Sequence, residues 1–217
     1  MIDFQKEIDN FLAKKQEEKK DRISSNRWNP SSFGRCLRMQ VWKRRGEPES
    51  NPPDERTLRV FKAGFLFEEF ALSCIKGIDK QVRIETDDVV GYADATDADT
   101  VYDVKSQHSK SFWYMKKFAK RDVAHQKYCN WLQVMTYAME LDKCYSSLVF
   151  ISKDDLCIKQ FILPYDSTWE RCIMKELRML NKWWANGKLP EAKPRAFNGN
   201  ECAKFCSYRD RCKKEGD

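Results

Sequence analysis

The chain has 217 residues, 41% of them hydrophobic and 34% charged, with a formal net charge of +7. That length suits one α/β domain with a full core plus a small appended module, which argues against two equal domains, and the composition argues against disorder. No apolar run approaches the ~20 residues that cross a bilayer, the opening stretch mixes acids and bases without an apolar signal core, which predicts a cytoplasmic protein, and the modest positive charge favours a polyanionic partner.

Residues 1–23 read as an exposed amphipathic helix with Ile2, Phe4, Ile8, Phe11 and Leu12 on one side. Asn29-Pro30-Ser31-Ser32 supplies turn and N-cap residues for a second helix expected over 31–45, which carries Cys36 among several arginines. After the breaker SNPPDE a third helix is expected over 57–75, containing Gly64 and Glu68-Glu69. The segments QVRIET, VVGYADAT and VYDVKSQ then alternate as strands and predict a three-stranded meander across the turn DADT. Helical spacing returns over 122–142, CYSSLVFIS and CIKQFIL predict a hairpin, and an amphipathic helix follows over 167–186. Beyond Gly187 the composition turns to proline, glycine and cysteine. The organisation expected is an N-terminal helix and linker over 1–30, a core over 31–186 and a cysteine-rich segment over 187–217.

On VYDVKS, alternation places Asp103 and Lys105 on one face. Asp94 returns beside Asp103 if the two strands pair as a hairpin. Two carboxylates at the rim of a sheet suit Mg²⁺ or Mn²⁺, which lowers the pKa of a bound water, while Lys105 orients that water or stabilises charge on a phosphate. Alone the triplet means little: 33 acids and 40 bases among 217 residues give about six acid-x-base coincidences by chance, and an isolated one reads as a solvated pair. The order Gly64-x-x-x-Glu68, Gly91-x-x-Asp94, Asp103-x-Lys105, Gln133-x-x-x-Tyr137 is much harder to obtain by accident. The i, i+4 spacing puts the Gln133 amide and the Tyr137 hydroxyl on one helix face.

Through GYADA, DVKS, QVMTY and the cysteines, residues 31–212 resemble the RecB-like branch of the PD-(D/E)XK nucleases, and more narrowly the CRISPR-associated RecB-like iron-sulfur exonucleases and their phage-encoded relatives. The resemblance implies an α/β fold, a restriction-endonuclease-like mixed central sheet flanked by helices, with a small cysteine-rich iron-sulfur module. It implies a metal-dependent DNA nuclease in which Asp94 and Asp103 hold the metal, Lys105 is the catalytic lysine, and Gln133 and Tyr137 form an accessory motif near DNA. A single-stranded DNA exonuclease of 5′ to 3′ polarity is implied, acting in CRISPR adaptation with an integrase or in phage DNA processing with a recombination protein, in the host cytoplasm if phage-encoded. One departure is clear: Glu68 stands where the family usually has histidine, and as an oxygen donor it is a candidate third metal ligand.

Of the nine cysteines, three crowd into the tail as Cys202-x3-Cys206-x5-Cys212, with Cys36 the candidate fourth ligand. Four thiolates hold a [4Fe-4S] cluster or Zn²⁺. The related nucleases use this one-plus-three arrangement for iron-sulfur, with one residue fewer between the first two tail cysteines, which keeps zinc open. Cys74, Cys129, Cys144, Cys157 and Cys172 read as buried small hydrophobes, and His108 and His125 as surface or DNA-facing residues. Between Lys105 and Lys127 lie seven basic residues against one acid, Asp122, interleaved with Phe112, Trp113, Tyr114, Phe118 and Tyr128, a pattern suited to single-stranded nucleic acid or to a solvated basic helix. Two non-catalytic readings stay open at this point: a DNA-binding or assembly module stapled by the metal-cysteine cluster, and a zinc-ribbon adaptor.

Overall fold

The computed structural model describes residues 2–20, 26–115 and 126–215. Five strands, β1 (Asp79–Glu85), β2 (Val90–Thr96), β3 (Thr100–Gln107), β4 (Tyr145–Ser152) and β5 (Ile158–Pro164), form one sheet in sequential order. The β1–β2, β2–β3 and β4–β5 pairs are antiparallel and β3–β4 is parallel. The meander and the hairpin therefore form as the alternation predicts. The parallel pair needs a crossover, and the chain between β3 and β4 contains helices α4 (Ser109–Met115) and α5 (Tyr128–Glu140), an arrangement set by chain order.

Helices flank both faces. Val101, Leu148, Phe150 and Phe161 of the sheet meet Trp131, Leu132 and Met135 of α5 and Ile173, Leu177 and Leu180 of the helix Ser167–Ala185, α6. On the opposite face Ala95, Val104 and Ile151 pack under Leu72 of the helix Glu55–Ser73, α3. Asp54 caps α3 by accepting the Thr57 N–H at 2.8 Å, and Asp166 caps α6 by accepting those of Thr168 and Trp169. The first helix, α1 (Phe4–Lys20), lies along α3 with Asp9 paired to Arg59 and leaves Ile2, Phe4, Ile8 and Phe11 exposed. Among the described residues no helix is long and apolar enough to cross a membrane.

The helix expected over 31–45 is instead two pieces. A 3₁₀ turn spans Pro30–Ser32, capped by Asn29, and the helix α2 runs only from Leu37 to Arg44. Gly34 between them adopts φ +76°, and a Cβ there would stand 3.0 Å from Cys129 Sγ, so this loop requires glycine on both backbone and packing grounds. Cys36 is thereby placed at the N-cap of α2 rather than inside a helix. The tail folds back onto α2: Tyr208 packs on Trp42 with ring centroids 5.3 Å apart, and the last helix, α7 (Arg209–Glu215), brings Arg211 to Glu47. Trp28, 1% exposed, bridges to Val89 beside β2, so the stretch before residue 30 contributes to the same core.

Candidate active site

The sheet opens where the acids sit. β1 stays paired with β2 as far as Glu85↔Val90, and β4 with β3 through Gln107↔Ser152, but β2 and β3 pair only at Ala95↔Tyr102 and Thr96↔Val101. The next residues in that register are Asp94 and Asp103. Here Asp94 Oδ2 accepts the Val104 main-chain N–H at 2.7 Å. A side-chain carboxylate thus takes a donor of the kind that a regular ladder gives to a carbonyl, and the strands part around it. Asp103, 1% exposed, accepts from Lys105 Nζ at 2.7 Å through Oδ1, so the acid and base predicted on one face do meet. Its other oxygen, Oδ2, is buried with no hydrogen-bond partner among the described residues.

Burial pushes the Asp94 carboxyl up to about 7; the Asp103 charge adds to the effect and Lys105 opposes it. Burial also raises Asp103, against the pull of Lys105. For Lys105, burial favours the neutral amine, but the charges of Asp103 and Asp94 outweigh it and hold the ammonium above its ordinary value. The pair is short of positive charge, and its buried oxygen is an acceptor without a donor among the described residues. Hard oxygen donors in that state fit Mg²⁺ or Mn²⁺, which take one or two carboxylates and retain waters. Among the described residues no three His, Cys, Asp or Glu side chains are gathered into a group that could hold a metal by themselves.

A pH-dependent stability follows from Asp94. Unfolded, its carboxyl ionises near 3.8, and folded near 7. Between those values the native chain retains a proton that the unfolded chain has lost, so stability falls as pH rises through the window. Asp94→Asn keeps an acceptor for the Val104 N–H and removes the buried charge. The metal-free variant is expected to melt higher than wild type at about pH 8, with the difference closing toward about pH 4; a series of thermal melts in chelator measures it.

Glu68 projects from α3, half-buried, and accepts from Gln81 Nε2 at 2.8 Å; burial raises its carboxyl, and it senses Lys105 and Asp103. α3 comes close to β3 at Gly64, where a Cβ would meet Ser106 Oγ at 3.8 Å. From the other side α5 brings Tyr137, 2% exposed, close to the Gln133 side chain and the Tyr92 main chain; burial, with the charges of Asp103 and Asp94, raises its hydroxyl. The structure therefore brings together Glu68, Asp94, Asp103, Lys105, Gln133 and Tyr137. Gly91 is what lets Tyr137 in: a Cβ there would lie 2.6 Å from Tyr137 Oη. Because that ring is locked in the core, Gly91→Ala displaces it from the carboxylates. The expected result is a destabilisation of about 1–3 kcal/mol with loss of any activity beyond what the lower stability explains, measured by melting and by turnover well below the melting temperature.

His108 is exposed; its carbonyl accepts the Phe112 N–H at 3.0 Å and its Nδ1 faces the Lys110 N–H at 3.3 Å, so it starts α4. His125, Phe118 and Asp122 lie outside the described residues. Of the other aromatics in that stretch, Phe112 is buried, whereas Trp113, Tyr114 and Tyr128 are exposed.

Cys36, Cys206 and Cys212 pack around Met39, Trp42 and Tyr208. Burial raises the Cys202 thiol, with the charges of Cys36 and Cys212 adding to it. The four cysteines thus share one neighbourhood, with no closed metal group among the described residues, and none of the four is in a disulfide. Two buried glutamates overlooked in the sequence hold the neighbourhood. Glu201, fully buried, accepts the main-chain N–H groups of Cys36 at 3.0 Å, Arg195 at 3.0 Å and Ala196 at 3.3 Å. Glu176 of α6 receives the Arg195 guanidinium through both oxygens, at 2.9 and 2.7 Å, and the Gly34 N–H at 3.1 Å. Its place between Ile173, Leu177 and Leu180 on the apolar stripe of α6 was the available signal. The remaining cysteines depart from the expectation of uniform burial: Cys157 and Cys172 line the core and Cys129 is half-buried, but Cys74 and Cys144 are exposed because they stand at the ends of α3 and before β4, past the packed faces.

Neither a family model nor a curated protein matches the chain. Solved structures do. The protein SSO0001 is similar over 94% of this chain and 96% of its own, with a TM-score of 0.59 and 21% identity. The alkaline exonuclease LHK-Exo of Laribacter hongkongensis is similar over 78% of this chain and 93% of its own, with a TM-score of 0.55 and 11% identity. Its complex with dAMP is similar over 75% and 89%, with a TM-score of 0.55 and 12% identity. At such identities the likeness carries the fold. The chain has an α/β fold, a mixed five-stranded sheet flanked by helices, similar to the fold of that exonuclease.

Proposed function

We propose that this chain is a divalent-metal-dependent nuclease that hydrolyses DNA phosphodiester bonds, acting on single-stranded DNA or free ends. The observation that carries the reading is the buried, unpartnered Asp103 Oδ2 beside Asp94, on a strand whose next inward residue, Lys105, is already bound to Asp103 Oδ1. The exonuclease fold of LHK-Exo supports it. Mg²⁺ or Mn²⁺, when bound, supplies Lewis acidity and a water of lowered pKa. Asp94 and Asp103 would hold the ion, and Glu68 on α3 is the candidate third oxygen donor. Lys105, oriented by Asp103, keeps a positive charge where a non-bridging phosphate oxygen gains negative charge. Tyr137, buttressed by Gly91 and held by Gln133, walls the site. A 5′ to 3′ exonuclease polarity, a cytoplasmic setting and a place in CRISPR adaptation beside an integrase, or in phage DNA processing beside a recombination protein, follow from the family resemblance. Cys36, Cys202, Cys206 and Cys212 would hold a [4Fe-4S] cluster, with zinc the alternative; iron, zinc and acid-labile sulfide contents of anaerobically purified protein decide between them.

The test is digestion of end-labelled single-stranded DNA with Mg²⁺ or Mn²⁺ by wild type and Lys105→Ala. Metal-dependent cleavage by wild type and its loss in the variant are expected. Wild type that binds the DNA without cutting it overturns the proposal in favour of a non-catalytic assembly module.

A further inference from the structure

Two aromatic rings of the tail are displayed rather than buried. Phe197 is 47% exposed and Phe205 51%, and their rings lie together with centroids 4.5 Å apart. Phe197 also adopts φ +55°, a left-handed conformation that a bulky residue rarely takes and that folds retain where surrounding structure enforces it. Strain at a ring that gains little burial points away from a packing role. The Arg35 guanidinium stands 5.1 Å from the Phe197 centroid, over its face, and Lys204 next to Phe205 is exposed.

This pair is firmly mounted. Glu201 ties the segment to the Cys36 and Arg195 main chains and approaches Arg35 at 3.5 Å, and Arg195 ties it to Glu176. The Arg35 loop in turn abuts the first turn of α5, where the Gly34 Cβ position is 3.0 Å from Cys129 and 3.6 Å from Tyr128. Eight residues farther along α5, about 12 Å at the helical rise, Tyr137 reaches the carboxylates. Tyr128, at the start of α5, is 40% exposed and stacks with Trp169 at 6.2 Å. The loop that carries Arg35 and the candidate active site thus meet opposite ends of the same helix, α5.

We propose that Phe197 and Phe205, flanked by Arg35, form a stacking platform for the unpaired bases of a single-stranded nucleic acid whose scissile end occupies the Asp94–Asp103 site. The destination of the strand rests on the nuclease reading; the platform itself does not. Aromatic faces with an adjacent guanidinium are what sequence-tolerant single-strand binding uses, rings for bases and cations for phosphates. The chain's net charge of +7 suits that polyanion.

Anisotropy of a labelled oligo-dT of about 16 nucleotides, in chelator so that nothing is cut, tests it on the full chain. Phe205→Ala and the double variant Phe197→Ala/Phe205→Ala are expected to bind about tenfold or more weakly, and Phe205→Tyr within about twofold of wild type. Melting temperatures check the fold; if Phe197→Ala lowers stability, Phe205→Ala decides alone. Wild-type affinity in Phe205→Ala overturns the platform, as does an equal loss of binding to blunt duplex, whose bases are not free to stack. Altered self-association with DNA binding intact also overturns it and makes the patch a protein contact. Wild type that binds but never cuts, with binding lost in Phe205→Ala, sinks the nuclease reading and leaves the platform standing.

Discussion

Asp103→Asn is expected to lower metal-dependent cleavage by ~10³-fold or more while leaving the fold intact. The two oxygens of this carboxylate have different tasks: Oδ1 accepts from Lys105 at 2.7 Å, and Oδ2 is buried without a partner. Asparagine preserves the volume but has one acceptor and one donor end. If its amide nitrogen faces Lys105, two donors confront each other. If it faces the opening between β2 and β3, it presents hydrogens where a cation requires lone pairs. Neither orientation serves both tasks. Lys105→Ala separates them, because it removes the ammonium but leaves both oxygens. Calorimetric titration with Mn²⁺ should therefore show weakened binding in Asp103→Asn and retained or tighter binding in Lys105→Ala, with cleavage lost in both. Loss of cleavage in Asp103→Asn with undiminished Mn²⁺ affinity would mean that Asp103 acts only by positioning Lys105, and that the metal is held elsewhere.

Much of this arrangement was legible in the chain because period-two alternation is a local property. VYDVKSQ had to place Asp103 and Lys105 on one face whatever surrounded it, and the short DADT turn had to return Asp94 beside them. What alternation could not show is that pairing stops there, since that depends on the Asp94 carboxylate taking the Val104 N–H in three dimensions. The misplaced start of α2 has a local cause: Ser31 and Ser32 satisfy a 3₁₀ turn as readily as the first turn of an α-helix, and Gly34 then reverses φ. Cys74 and Cys144 occur in apolar strings, but the strings run past the ends of the packed elements. The cysteine neighbourhood was legible as a cluster of residue types. Its fastening was not, because Arg195 reaches Glu176 across a proline-containing segment that no periodicity describes.

That fastening sets the second large effect. Glu176→Ala is expected to destabilise the chain by about 2–3 kcal/mol, the cost of losing charge-assisted hydrogen bonds to a buried carboxylate whose guanidinium partner is part-exposed, and to lower the melting temperature by about 2–4 °C per kcal/mol at this size. Glu176 is 2% exposed and satisfies the Arg195 guanidinium and the Gly34 N–H together. Its loss leaves a partly buried cation and a buried main-chain donor unpaired. Much of the penalty belongs to the stranded arginine, so Glu176→Leu combined with Arg195→Met should recover most of the stability. The cysteines add a second readout. Arg195 donates its main-chain N–H to Glu201, which also holds Cys36, so releasing Arg195 loosens the segment that presents Cys202 and Cys206 to Cys36. Metal content per chain should fall in Glu176→Ala and return in the double variant. If melting drops while metal content does not, the thiol neighbourhood is held by Glu201 alone, and Glu176 serves only the docking of the tail on α6.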